Sequence, residues 1–135
     1  MAVGETILSV NGTISSELSH RVAEGGADSV GFRLISNERR FDKESGQWVD
    51  GRRCVLWVVC WRKLAVTVAA CLRKGDPVIV TGRLATREHD VGEVSQHTLE
   101  LEAFAIGPNL ARCPAQPRRR RDSAPATHPP VTHVA

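Results

Sequence analysis

The chain has 135 residues, 41% hydrophobic and 24% charged, with a formal net charge of +3. That length and balance fit one soluble domain with an appendage. No apolar run reaches membrane-spanning length, and the N-terminus MAVGETILSV lacks the basic and apolar regions of a signal peptide, so a cytoplasmic protein away from the membrane is expected.

ETILSVNGTI alternates apolar and polar residues, the pattern of a half-buried strand. SVGFRLISNE repeats the pattern. It puts Val30, Phe32 and Leu34 on one face and Arg33 and Ile35 on the other, so Arg33 should point outward. DKESGQW is a turn-rich loop around Gly46. CVLWVVCWRK is a third strand whose faces are both apolar. Val55, Trp57, Val59 and Trp61 share one face, and Cys54, Leu56, Val58 and Cys60 share the other.

KLAVTVAACLRKGD changes period. Leu64, Val68, Cys71 and Leu72 recur at helical spacing, with Lys74 in a cationic last turn and Gly75 as C-cap. DPVIVTGRLATREH is a fourth strand. Gly82 marks a bulge or a close approach there, and Arg83 and Arg87 share a face if no bulge separates them. DVGE then leads to a fifth strand, SQHTLELEAFAIG.

From about Arg112 the composition shifts. CPAQPRRRRDSAPATHPPVTHVA has no apolar periodicity and cannot bury enough surface to offset the entropy of ordering. The expected division is a folded domain over residues 1–110 and a disordered Pro/Arg-rich tail over 111–135. Charge divides the same way. The first part holds 13 Lys and Arg against 14 Asp and Glu; the second holds 5 Arg against 1 Asp. An anion-binding surface on the domain must therefore come from local placement of its cations.

Cys54, Cys60, Cys71 and Cys113 form no Cys-x-x-Cys, and no histidine pair stands at zinc spacing. Cys54 and Cys60 would lie about 20 Å apart along an unbroken strand, too far for a disulfide. Reduced thiols and no cofactor are expected.

Five strands with a helix between the third and fourth is the order of an OB-fold, an all-β Greek-key barrel. Its narrow interior is filled by side chains. Cys54, Leu56, Val58 and Cys60 fit such an interior, whereas two indoles would overfill it. Trp57 and Trp61 should therefore face outward. Outward indoles serve either base stacking, worth about 1–3 kcal/mol per base, or a subunit interface. A strand tryptophan commonly just packs, and scattered surface cations are commonly just solvated. Here strand order, outward indoles and interleaved cations coincide. The alternative is a protein–protein module or accessory subunit with weak nucleic-acid binding. No nucleophile–base pair, carboxylate pair or phosphate loop points to an enzyme.

WRKLAVTVAACLRKGDPVIVTGRLATRE, with ILSVNGTI before it and LELEAFAIGPNL after it, resembles the bacterial single-stranded DNA-binding protein family over about residues 3–110. The resemblance implies a homotetramer that wraps single-stranded DNA without sequence preference or catalysis. It implies a stacking role for Trp61, basic contacts from Lys63, Lys74 and Arg87, and a further stacking position at either Arg40 or Phe41. Trp48 and Arg83 are added as candidates from the residues themselves. Two departures imply weaker contact: Val55 stands where an aromatic is common, with Trp57 on the same face to compensate, and His89 replaces an aromatic in the long hairpin. The family's acidic tip with terminal Pro-Phe is replaced by HPPVTHVA, so its usual protein partners are not expected to be recruited. Arg118, Arg119, Arg120 and Arg121 form either a solvated spacer or an extra phosphate-binding arm.

Overall fold

Strand alternation builds the core directly. In β3 (Asp28–Asp42) Val30, Phe32 and Leu34 are fully buried, and in β4 (Gln47–Trp61) Leu56, Val58 and Cys60 are buried. Ile14 of β1 (Thr6–Ile14), Val78 and Val80 of β5 (Pro77–Val91), and Leu101 and Ala103 of β6 (Val94–Pro108) complete the same interior. Phe32 is the largest fully buried side chain; the rest of the core is mainly aliphatic. Burial pushes the Cys60 thiol pKa up to about 11, and its Sγ donates to the Val30 carbonyl at 3.6 Å. The computed structural model describes residues 3–119.

The strands close into a ring. β1 pairs antiparallel with β5, β5 with β6, and β4 with β3. Two short seams complete it: β4 runs parallel to β6 over Trp57–Val59, and β1 meets β3 at Thr13↔Ile35 and Ile14↔Leu34. This is the expected OB-fold barrel with one addition. A sixth strand, β2 (Ser19–Val22), pairs only with β3. Four residues with three exposed carry too little alternation to be read from sequence; the partner edge of β3 induces them.

The helix α1 (Arg62–Cys71) lies between β4 and β5 and covers the barrel with Ala65 and Val68, flanked by the partly buried Leu64 and Leu72. Two expectations fail here. The helix stops at Cys71, and Leu72 is extended, its N–H bonded to the Val68 carbonyl at 2.9 Å. Gly75 is therefore not its cap and Lys74 not in its last turn. Gly75 (φ 98°) belongs to a separate turn in which Arg73 N–H donates to Asp76 Oδ2 at 2.9 Å, while Gly75 N–H donates to the Ile14 carbonyl at 2.8 Å. At the other end Arg62 has φ 58°, a left-handed conformation that costs a side-chain-bearing residue roughly 1–2 kcal/mol.

Cys54 also departs from expectation: it is exposed, not interior. Its place on β4 lies beyond the barrel rim, where β3 and β4 continue as an uncovered two-stranded arm with a register shift between Asn37 and Arg39. β5 and β6 form a second arm, closed by the turn at Gly92. Gly82 packs against a bulge in β6, where Phe104 is the extra residue, in keeping with the bulge or close approach expected at this glycine. The register shifts between Thr81 and Gly82, and a Cβ there would overlap the Glu102 carbonyl. Among the described residues no helix is long and apolar enough to cross a membrane.

Candidate nucleic-acid interface

The outer face of β4 follows from the inner one. With Leu56, Val58 and Cys60 inside, Trp57, Val59 and Trp61 must face out. Antiparallel register then sets Arg33 opposite Trp57, Gly31 opposite Val59 and Ser29 opposite Trp61. The Trp57 ring lies over Gly31: a Cβ on that glycine would come within 2.5 Å of Trp57 Cζ2 and 3.0 Å of Nε1. Trp57 is half-buried by this contact, while Trp61, at the junction with α1, keeps 44% exposure.

These indoles line an open groove of about 660 Å³. Its far wall is the β2–β3 hairpin, contributing Ser19, Arg21 and Val22. That hairpin is clipped by the His20 imidazole and Asp28 carboxylate, 2.9 Å apart. The opposite side comes from the β5–β6 arm through Arg87, His89, Thr98 and Glu100. The bulge lies in β6 and leaves the alternation of β5 intact, so Arg83 and Arg87 do share the outer face.

The cations divide by their partners. Arg21, Arg33, Arg40 and Lys63 are exposed and in no ion pair among the described residues. Arg87 Nη1 donates to Glu100 Oε2 at 3.2 Å. Arg83 is held twice, donating from Nη1 to Glu5 Oε1 and from Nη2 to Glu102 Oε2, each at 2.7 Å. Hydrogen bonds to Glu102 and then Glu5 raise its pKa above the ordinary arginine value.

Of the residues singled out from sequence, Trp57, Trp61, Arg87 and His89 come together in the groove, with Arg33 beside it across from Trp57 and Lys63 in the first turn of α1. Phe41 and Trp48 sit apart on the β3–β4 arm, both exposed, their rings edge to face at 5.7 Å. Arg40 is on the same arm in a shallow recess with Glu38, Asp50 and Arg52. Lys74 lies in the turn after α1 and does not line the groove. Arg118 and Arg119 end the described chain; Arg120 and Arg121 lie outside the described residues. Sequence reasoning missed Arg21, Gly31, Thr98 and Glu100. Only Gly31 carried a signal, as an isolated glycine within a strand pattern.

Residues 6–106 match the model of the Single-strand binding protein family. The chain belongs to this family. The single-stranded DNA-binding protein of Corynebacterium glutamicum is 38% identical over 120 residues, covering 88% of this chain and 53% of that protein. The protein of the same description from Paenarthrobacter aurescens is 38% identical over 117 residues, covering 86% and 68%. This family member thus spans about half the length of its Corynebacterium relative. Two solved structures are matched nearly over their whole length. The small single-stranded DNA-binding protein from Streptomyces coelicolor superposes with a TM-score of 0.75 at 33% identity, covering 82% of this chain and 98% of that one. The second single-stranded DNA-binding protein of Mycobacterium smegmatis gives 0.68 at 32% identity, covering 85% and 99%.

Proposed function

We propose that this chain binds single-stranded DNA without reading its sequence and keeps it unpaired during replication, recombination or repair. The observation that carries the reading is one groove holding two outward indoles with arginines on both sides. Arg21, Arg33, Lys63 and Arg87 draw in the phosphates. Bases stack on Trp57 and Trp61, an interaction indifferent to base identity because every base has a π-face. Phe41 and Trp48, paired across the β3–β4 arm, extend the path, with Arg40 on the arm's opposite face as the alternative, and His89 adds a smaller stacking surface. No bond is made or broken; a strand so held simply cannot re-pair.

Titration with poly(dT) at two salt concentrations, read by intrinsic tryptophan fluorescence, tests this. The emission is quenched, and affinity falls with salt at a log–log slope of about −0.7 per neutralised phosphate. Trp57→Ala and Trp61→Ala each weaken binding by about 1–3 kcal/mol. A blue-shifted emission that poly(dT) does not quench would overturn the reading and favour indoles sealed between protomers.

The same reading has the chain act as a homo-oligomer, with a tetramer expected. Two features support association with further copies. Beyond the Thr13–Ile14 seam, β1 pairs only with β5, leaving one strand edge open among the described residues. Ile7, Ile79 and Phe104, on the three strands β1, β5 and β6, are exposed apolar side chains.

A further inference from the structure

The groove holds a charge of the wrong sign for its proposed ligand. Glu100 stands beside Trp57 in the parallel seam and faces outward with it. Its side chain is only 21% exposed, while that of its partner Arg87 is 60% exposed. The pair is joined by one 3.2 Å contact, whereas Arg83 is gripped by two carboxylates at 2.7 Å. The looser pair lies in the groove; the tighter one does not line it. A single ion pair with an exposed partner contributes little to folding and opens readily. Arg87 is also where a strand stacked on Trp57 would place a phosphate, since both line the same groove.

We propose that Glu100 is a built-in competitor for the DNA backbone: it occupies Arg87 while the groove is empty, and a phosphate must take its place. The inference rests on the reading of the groove as a single-strand site. Glu100 then limits affinity in two ways. It holds a cation that the phosphate needs, and it repels that phosphate at close range in a partly desolvated setting, where charges are screened less than in water. A site so restrained releases its strand more easily than its aromatic content alone would allow. At Arg87 the gain from a phosphate contact is therefore reduced by the carboxylate it displaces.

The test uses the full chain and a thymidine oligonucleotide over a series of salt concentrations, with affinities compared at the lowest. Glu100→Gln keeps the side chain's shape and removes its charge. It is expected to tighten binding about three- to tenfold and to steepen the salt slope by about 0.7, one further phosphate neutralised. Glu93→Gln, in the exposed turn between β5 and β6, removes the same charge outside the groove and should change affinity far less. In an Arg87→Gln background the gain from Glu100→Gln should shrink to a small remainder. Unchanged or weaker binding by Glu100→Gln overturns the proposal, as does an equal gain from Glu93→Gln or a full gain without Arg87. A selective loss of cytidine over thymidine oligonucleotides in Glu100→Gln would also overturn it, because the carboxylate would then be reading base amino groups. If the parent chain quenches normally and Glu100→Gln matches it, only the role of Glu100 falls. If neither protein binds, the groove reading falls with it.

Discussion

Trp57 depends on a neighbour with no side chain. Its ring rests where a Cβ of Gly31 would be, so the glycine sets the angle at which the indole meets a base. Gly31→Ala should push the ring off its seat and weaken oligonucleotide binding by about 1–3 kcal/mol, as removal of the ring would. Melting temperature should change little, since the ring can move outward into the groove; fluorescence titration beside thermal denaturation checks both. Period two, together with a barrel interior too narrow for two indoles, was enough to place Trp57 and Trp61 outside and Leu56 and Val58 inside. It could not find Gly31's role, which needs the register between β3 and β4. Nor could it separate Arg83 from Arg87. Both read as outward arginines, yet Glu5, which fixes Arg83, is 78 residues away in the chain.

Each strand that alternates was legible, and each element shaped by its neighbours was not. β2 exists because β3 offers an edge, and α1 ends early because residues 73–76 turn back against the end of β1. Cys54 follows the interior face of β4 but has left the barrel by the time it is reached. Gly82 is the exception, a tertiary feature with a local mark, since an isolated glycine in a strand flags a bulge or close contact. Gly82→Ala should destabilise the barrel by about 1–3 kcal/mol, because the new methyl meets backbone of β6 that cannot rotate away. Chemical denaturation measures this; a variant as stable as the parent would mean that the bulge relaxes.

At the scale of the molecule, apart from the buried Cys60 thiol, polar side chains lie at or near the surface: among the described residues no charged or strongly polar side chain is buried. The barrel thus owes its cohesion to a small aliphatic interior, and association with further copies would add to it. Light scattering at micromolar concentration should report a mass near four protomers, and Phe104→Asp should reduce it, since a charge on that face opposes burial. A monomeric parent chain would set the tetramer aside.

The ring of strands is in effect two antiparallel sheets, β1–β5–β6 and β2–β3–β4, fastened along two narrow strips. One strip runs under Trp57 and Glu100. A polynucleotide resting on Trp57 and Arg87 would have one foot on each sheet and act as a suture across the junction. Occupancy of the groove and resistance of the barrel to coming apart then rise together, as mass action requires of any ligand that favours the closed form.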